Sequence, residues 1–311
     1  MSAGVGRRAT VAGLGTALPE RIVTNADFAD HLDTSDAWIT ERTGIRERRF
    51  GGSTADLATA AGQAALADAG LLPADIQLLV LCTETPDRLM PATSAEVAHR
   101  LGLHCGAFDL NAACSGFVYG LVTASSLVDG GLDRILLVGA DTMSRITDQD
   151  DRATAVLFAD GAGALVLTAD VGEPAVLGWD AGTDGSLAGI LSCEHGGKIA
   201  MEGRAVYQKA VRMVVESCLA ALEKAKATAD DIAVFAPHQA NIRIIEAAAL
   251  RLGIPPERCV VVLDRTGNTS AGSIPLALAD ARDTGRLQPG DLVLMSGFGA
   301  GMTWASAVWR W

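Results

Sequence analysis

The chain has 311 residues, a formal net charge of -12 at pH 7 and 49% hydrophobic residues. This composition permits a large buried core and excludes an intrinsically disordered protein. The acidic charge argues against general binding to nucleic acid or to an anionic membrane surface. No uninterrupted apolar stretch reaches the ~18 residues of a membrane helix. Because the first eight residues lack the pattern of a signal peptide, we expect a cytoplasmic protein.

The six cysteines form no C-x-x-C pair and no cluster with histidines. This spacing predicts reduced thiols and no metal site. The six are Cys82, Cys105, Cys114, Cys193, Cys218 and Cys259.

Apolar strands alternate with helical patterns through the first half of the chain. The predicted strands cover residues 10–17, 76–82, 134–138, 153–157 and 164–167, and the predicted helices cover 55–69 and 94–101. The Asp-Gly-Ala-Gly sequence at 160–163 predicts a tight glycine turn. A basic run fits either a solvated loop or phosphate contacts, and it consists of Arg42, Arg46, Arg48 and Arg49.

The second half of the chain repeats the pattern of the first. The segment 65–76 recurs as 221–232 at an offset of 156, and each copy leads into an apolar strand. The Arg-Leu-Gly triplet at 100–102 recurs at 251–253. Two such halves predict a duplicated α/β fold in five layers with mostly parallel strands. We place the halves at residues 1–170 and 171–311.

Cys114 lies where an apolar run ends and a helical pattern begins. Free amides at a helix N-terminus stabilise the thiolate, which is the nucleophilic form of cysteine. Its small neighbours in the sequence Ala-Ala-Cys-Ser-Gly would let a substrate carbonyl approach the sulfur. A cysteine packed in the core fits the same local pattern, so the interpretation depends on the rest of the chain.

Two loops of the second half add polar groups. His238 follows a strand at the position that residues 83–85 occupy in the first copy, and Asn268 lies in the turn that corresponds to the Cys114 elbow. A structural histidine and an ordinary Gly-Asn turn are the alternatives. A cysteine, a histidine and an asparagine at strand ends can perform acyl transfer. Cys114 would attack a thioester while His238 and Asn268 donate hydrogen bonds to a thioester oxygen.

Residues 295–301, near the C-terminus, are predicted to be a strand that runs into a glycine-rich loop. Its backbone N–H groups can complete an oxyanion hole with the N–H of Cys114, and Ala300 is the residue that we expect to contribute.

Six motifs in order give the whole chain a resemblance to the β-ketoacyl-acyl carrier protein synthase III family of the thiolase superfamily. They lie at 36–48, 112–116, 160–163, 237–241, 267–270 and 299–304. Asn268 sets this class apart from elongating synthases, which use two histidines, and from thiolases, which use a second cysteine.

The resemblance implies a thiolase-like αβαβα fold and a decarboxylating Claisen condensation. An acyl-CoA primer would acylate Cys114, and malonyl on acyl carrier protein would then lose CO2. His238 and Asn268 would stabilise the enolate that attacks the acyl-enzyme. The resemblance also implies a homodimer, and no permanently bound cofactor, since acyl-CoA is a substrate.

The resemblance further assigns contacts to both substrates. The residues that match the CoA contacts are Trp38, which stacks on the adenine, Arg42, Arg152 and Asn241. Arg243 matches the carrier-protein contact, and Lys209 and Arg251 would extend this basic patch toward an acidic carrier. Tyr207-Gln208 replaces the Phe-Lys that is frequent in the family, so the patch is expected to be weaker or shifted to Lys209.

The expected walls of the acyl pocket are Met90, Phe158, Leu191 and Met201. Met90 would reach across the dimer into the partner's pocket. Because methionine is flexible, we expect primers longer or more branched than acetyl.

Three other functions compete with condensation. A same-fold acyltransferase would pass the acyl group from Cys114 to an alcohol or an amine. His238 and Asn268 favour condensation, since simple transfer needs a base more than an amide donor. A type III polyketide synthase also uses Cys, His and Asn but has no need of a basic carrier patch. An inactive partner subunit is disfavoured because Cys114 is present.

Overall fold

A computed structural model describes residues 6–311 of the chain. The prediction about a signal peptide concerns in part residues 1–5, which lie outside the described residues. No helix within residues 6–311 is long and apolar enough to cross a membrane.

The described part of the first half folds into seven strands and six α-helices. In chain order they are β1 (Gly6–Ala17), β2 (Ile22–Thr24), α1 (Asn25–Ala29), α2 (Asp36–Thr43), β3 (Glu47–Arg49), α3 (Thr54–Ala69), β4 (Leu78–Cys82), α4 (Thr93–Leu101), β5 (Gly106–Leu110), α5 (Gly116–Asp129), β6 (Arg134–Thr142), α6 (Arg152–Ala155) and β7 (Asp160–Gly172).

The second half continues the alternation after a short connection. Its elements are β8 (Val176–Thr183), β9 (Leu191–Cys193), β10 (Ile199–Met201), α7 (Gly203–Ala225), β11 (Ile232–Pro237), α8 (Ile242–Leu252), α9 (Leu263–Thr266), α10 (Ser273–Asp283), β12 (Leu292–Gly299) and β13 (Thr303–Arg310).

The two main sheets are mixed. The first has the strand order β1-β7-β6-β4-β5 and the second the order β11-β12-β13-β8. Strands β4, β5, β6 and the pair β11 and β12 run parallel, whereas β7 and β13 run antiparallel to both of their neighbours. The strands are therefore less often parallel than expected, in part because a tight connection between β12 and β13 forces a hairpin.

Helices and sheets stack in the five predicted layers. Helices α3 and α4 cover the outer face of the first sheet, and α7 and α8 cover the outer face of the second. Helices α5 and α10 lie between the sheets in a core to which both halves contribute, including Phe117, Leu137, Ile274 and Met295. All strands of the first sheet come from residues 6–172 and all strands of the second from 176–310. This division supports our proposal of a boundary near residue 170.

Two local predictions in the first half are wrong. Residues 153–157 contribute to helix α6 instead of a strand, because the Asp151 carboxylate accepts a hydrogen bond from Ala153 N (3.0 Å) and caps a helix. The glycines at 160–163 begin strand β7 instead of forming a turn. A Cβ on Gly163 would lie 2.7 Å from Pro275 Cβ, so glycine permits close packing of α10 on the strand.

The repeated segments have a common packing reason. A Cβ on Gly13 of β1 would lie 2.3 Å from Ala65 O in α3, and a Cβ on Gly178 of β8 would lie 2.4 Å from Ala221 O in α7. Ala65 and Ala221 are equivalent members of the sequence repeat. In each half, therefore, the first strand of the sheet and its covering helix touch backbone to backbone, which requires glycine on the strand and small residues on the helix.

This contact predicts that Gly13→Ala and Gly178→Ala each lower the free energy of unfolding by about 1–3 kcal/mol or more, since a backbone cannot move aside as a side chain does. Urea unfolding measures the effect. Gly185→Ala is the matched control, because no residue within 6–311 other than its two chain neighbours has an atom within 4 Å of its added Cβ. Equal stability of all three variants would contradict the close approach.

Candidate active site

Cys114 lies on a sharp elbow between β5 and α5. It is the middle residue of a single 3-10 turn, Ala113–Ser115, in which Ala113 has a left-handed φ of 46°. The Asn111 side-chain oxygen accepts a hydrogen bond from Ala113 N (3.0 Å) and stabilises this conformation. The elbow opens α5 as predicted, and the Cys114 side chain is buried with 6% exposure.

The second half contains an equivalent elbow before α10. Ser270 has a φ of 49°, and the Asn268 side-chain oxygen accepts a hydrogen bond from Ser270 N (3.0 Å). Asn268 therefore corresponds to Asn111, at an offset of 157, and the counterpart of Cys114 is Ala271. The predicted correspondence of the two elbows is right, and within them Asn268 lies three positions before the residue equivalent to Cys114.

Each elbow packs against a glycine residue on a strand of the other half. A Cβ on Gly299 of β12 would lie 2.7 Å from Cys114 N, and a Cβ on Gly139 of β6 would lie 2.4 Å from Ala271 O. The glycine-rich stretch therefore lies against the cysteine, as the oxyanion-hole hypothesis requires. Ala300, which follows Gly299, lines a small cavity together with Cys114.

His238 is held at the end of β11 by several contacts. Its backbone N–H donates to Ser296 O (2.7 Å), its ring Nδ1 lies 2.7 Å from Ser273 Oγ, and its ring meets Phe298 edge-on at 5.6 Å. Burial lowers the pKa of His238 to about 3, so the imidazole is neutral at physiological pH.

Asn268 is fixed through both its backbone and its side chain. Its N–H donates to Leu157 O (3.0 Å), and its carbonyl oxygen accepts from Ala159 N (2.8 Å). Because its side-chain oxygen is already bonded to Ser270, the amide NH2 is the group left to donate to a ligand.

One cleft of about 590 Å³ brings the three predicted catalytic residues together, since Cys114, His238 and Asn268 all line it. The residues predicted to contact CoA line the same cleft, namely Trp38, Arg42, Arg152 and Asn241.

Trp38 lies close to two guanidinium groups in this cleft. The Cζ atoms of Arg42 and Arg152 are 5.0 and 4.9 Å from its ring centroid. Asn241 links this group to α8, because its Nδ2 donates to Arg42 O (3.0 Å) and its Oδ1 accepts from Arg243 N (2.9 Å). Positive charge and an aromatic face thus border the end of the cleft that is more exposed than Cys114.

Arg243 also lines the cleft, and its guanidinium lies 5.4 Å from the Tyr207 ring centroid. Lys209 on α7 and Arg251 on α8 are exposed and do not line this cleft.

Of the four arginines in the basic run, Arg42 lines the cleft, whereas Arg48 is fully buried. Arg48 donates hydrogen bonds to Asn25 Oδ1 and Val156 O (2.8 Å each), and burial lowers its pKa to about 10. Arg48 therefore lies neither in a solvated loop nor at a phosphate contact, and its charge has a structural role.

A small cavity of about 50 Å³ adjoins Cys114. Phe158 and Leu191 line both this cavity and the main cleft, and Met201 lines the main cleft. Met90 lines neither in its own chain and is 78% exposed. Its predicted position in a pocket therefore depends on a second subunit.

The sequence interpretation missed a carboxyl pair beside the cysteine. Glu84 Oε1 accepts hydrogen bonds from Cys114 Sγ (3.4 Å) and from Ser270 Oγ. Behind it, fully buried Asp141 accepts hydrogen bonds from Glu84 N (2.9 Å) and from further donors, which are Thr83 Oγ1, Thr85 N, Thr85 Oγ1 and Ala271 N. Glu84 follows β4 as His238 follows β11, so the repeat alone could have indicated it.

This pair changes the protonation of the site. Burial, together with the charge of Asp141, raises the pKa of Glu84 to about 7. Burial and the nearby Glu84 carboxylate raise the pKa of the Cys114 thiol well above its usual value. The expectation of a thiolate stabilised by the helix N-terminus therefore needs correction, because the resting site holds a thiol.

All six cysteines are unpaired. Within residues 6–311, no group of three or more His, Cys, Asp or Glu side chains could hold a metal ion.

A duplicated five-layer fold with Cys, His and Asn at the junction of its halves defines the chain as a condensing acyltransferase of the thiolase superfamily. The family model for 3-Oxoacyl-[acyl-carrier-protein (ACP)] synthase III matches residues 108–185, and the model for its C-terminal part matches residues 222–311. The chain is 48% identical to beta-ketoacyl-[acyl-carrier-protein] synthase III of Mesorhizobium japonicum, over 98% of this chain and 99% of the relative.

Solved structures agree with this result. The 3-oxoacyl-[acyl-carrier-protein] synthase III of Aquifex aeolicus superposes with a TM-score of 0.95 and 41% identity, covering 97% of this chain and 100% of that one. The priming β-ketosynthase of the R1128 polyketide pathway superposes with a TM-score of 0.93 and 36% identity, covering 100% and 98%. The chain belongs to the β-ketoacyl-acyl carrier protein synthase III family.

Proposed function

We propose that Cys114 is the nucleophile in a decarboxylating condensation of an acyl-CoA primer with malonyl-acyl carrier protein, which starts a fatty-acid or polyketide chain. One observation carries this proposal: a single cleft joins Cys114, His238 and Asn268 to the group of Trp38, Arg42 and Arg152. Such a cleft accepts an extended thioester whose anionic end lies at the arginines and whose carbonyl lies at the thiol.

Acylation comes first. The Cys114 sulfur attacks the primer carbonyl, and the backbone N–H groups of Cys114 and Ala300 stabilise the oxyanion. Collapse of the adduct expels CoA as its thiol and leaves an acyl thioester on Cys114. No permanently bound cofactor takes part in these steps.

Condensation follows at the same sulfur. The malonyl thioester loses CO2, and its carbonyl oxygen takes up the negative charge of the enolate. Ser273 Oγ already accepts a hydrogen bond from Gln239 N (3.3 Å), so its own proton is free to bond His238 Nδ1. The neutral ring then carries its proton on Nε2, and this N–H, beside the Asn268 amide, donates a hydrogen bond to the enolate oxygen. The enolate carbon attacks the acyl group and releases Cys114.

Transfer of the acyl group to an alcohol or amine is the weaker alternative. That reaction requires a base to remove the proton of the acceptor. The pKa of His238, lowered by burial to about 3, makes the ring a poor base but does not affect its ability to donate a hydrogen bond.

Arg243, Lys209 and Arg251 form the proposed landing area for the carrier protein beside the cleft. All three are exposed on α7 and α8, and none forms an ion pair among those within residues 6–311. Free positive charge on an acidic protein would steer an acidic carrier to this face. The unpaired cysteines fit the reducing cytoplasm, where we expect the enzyme to work.

A homodimer would complete the acyl pocket. The small cavity at Cys114 shares Glu84, Ile146 and Cys193 with an open cavity of about 980 Å³, so one chain alone does not close it. Strand β5 is an open sheet edge with Phe108 exposed, and the nearby loop exposes Leu89 (83%) and Met90 (78%). Unpaired strand edges and exposed apolar side chains mark an interface with a second copy.

The catalytic roles are tested by intact-mass analysis after mixing with acetyl-, isobutyryl- or hexanoyl-CoA. We expect one acyl adduct on the wild type and none on Cys114→Ala. His238→Ala and Asn268→Ala should keep the adduct but decarboxylate malonyl-carrier protein about 100-fold more slowly, as lost oxyanion donors do. Discharge of the adduct by an alcohol, and not by malonyl-carrier protein, would establish the acyltransferase instead.

The substrate contacts are tested by steady-state kinetics with each substrate varied. Trp38→Ala and Arg152→Ala should raise KM for acyl-CoA about tenfold with little change in kcat, because they remove binding remote from the reacting carbon. Arg243→Ala and Arg251→Ala should raise KM for malonyl-carrier protein alone. Arg212→Ala is the control, since Arg212 is exposed on α7 and forms an ion pair with Glu216. An equal effect of Arg212→Ala would reject the patch.

The dimer is tested by sedimentation velocity. We expect twice the mass of the 32.1 kDa chain for the wild type, and a shift toward monomer for Phe108→Glu, which places a charge on the open edge. Leu250→Glu is the control, because Leu250 is also apolar and is more exposed than Phe108 (82% against 36%) but lies on α8. A monomeric wild type would refute the dimer.

A further inference from the structure

Glu84 touches the reacting sulfur but has no part in the steps above. We propose that Glu84 accepts the thiol proton of Cys114 during acylation and returns a proton to the Cys114 sulfur during condensation. This inference rests on the proposed role of Cys114 as the nucleophile.

Geometry places the Glu84 carboxyl for this exchange. Its Oε1 is 3.4 Å from Cys114 Sγ, and Ser270 Oγ donates to the same oxygen from the opposite elbow. The backbone N–H of Glu84 is bonded to Asp141 Oδ1 (2.9 Å), which fixes the start of the side chain. No ion pair within residues 6–311 includes Glu84, so its charge is free to change with the state of Cys114.

Asp141 influences whether the proton lies on the Glu84 or on the Asp141 carboxyl group. Burial raises the pKa of Asp141, but five hydrogen bonds from N–H and O–H donors oppose this shift by stabilising its carboxylate. Burial of Glu84, together with the charge of Asp141, raises the pKa of Glu84 to about 7, so both of its forms are populated near neutrality. Other titratable or charged groups that face Glu84 or share its cavity wall are Cys114, Cys193, Asp87, Arg88, Glu194 and His195.

The proton balance closes over one turnover. In acylation, the S–H bond breaks, its proton moves to Glu84, and the sulfur forms a bond to the primer carbonyl carbon. The departing CoA thiolate takes that proton. Glu84 next takes up a proton from solvent. In condensation, the bond between sulfur and acyl carbon breaks, and the Cys114 thiolate takes the proton of Glu84. Decarboxylative condensation consumes one proton, so the product and the resting thiol are both accounted for.

Opposite pH dependences of the two half-reactions test this assignment. Acylation requires the carboxylate, so its single-turnover rate should rise with pH through about 7. Discharge of the acyl-enzyme by malonyl-carrier protein requires the protonated acid, so its rate should fall with rising pH. Rapid-quench mass analysis from pH 5.5 to 8.5 follows both steps.

Glu84→Gln keeps the shape of the side chain but cannot titrate. We expect acylation about 100-fold slower at pH 7.5, with loss of the pH dependence in both half-reactions. Glu194→Gln and His195→Gln are matched controls from the same cavity wall, and both should keep the wild-type profile. Ser270→Ala should move the wild-type inflection to higher pH, because the Ser270 hydrogen bond lowers the pKa of Glu84.

The direction of the change in acylation rate shows whether Glu84 acts as a base or only as a nearby charge. If Glu84 only raises the pKa of the Cys114 thiol through its charge, Glu84→Gln will acylate as fast as the wild type or faster, which would overturn the proposal. A wild-type inflection that disappears in His195→Gln would overturn it as well. Absence of any adduct on the wild type would refute the nucleophile itself, whereas an adduct with an unchanged profile in Glu84→Gln would refute only Glu84.

Discussion

The site depends on one steric constraint, the contact of two backbones at each elbow. Strand β12 reaches Cys114 N only because Gly299 has no side chain, and β6 reaches Ala271 O only because Gly139 has none. These contacts set the distance between the halves, and with it the cleft shared by Cys114, His238 and Asn268. The catalytic groups are polar, but glycine positions them.

Much of this was predictable from sequence. The duplication was predictable from the repeat of segment 65–76 at 221–232. The repeat is visible because Gly13 and Gly178 make equivalent backbone contacts, which require small residues at equivalent helix positions. Cys114 and His238 follow strands β5 and β11, as the sequence predicted, whereas Asn268 follows the short helix α9 instead of a strand. The repeat still brings the equivalent loops together, and the cleft contains all three residues.

The errors share a different cause. Gly161 and Gly163 allow close packing against the strand, but the sequence pattern predicts a turn there. A glycine serves both purposes, and the sequence alone does not distinguish them. Arg48 and Glu84 stand in polar stretches that are typical of surface, and only the tertiary fold buries the one and places the other against a thiol. Burial of a charge is a property of distant neighbours, such as Asp141 for Glu84, 57 positions along the chain.

The contact of each elbow with a glycine-containing strand of the other half also limits how such a protein can evolve. Because the strand that borders each elbow belongs to the opposite half, neither half by itself encloses a complete reaction centre. A gene split between β7 and β8 would yield two products that must find each other before either is useful. A substitution in one elbow must therefore remain compatible with the glycine on the facing strand of the other half, so the two halves cannot change independently at this contact.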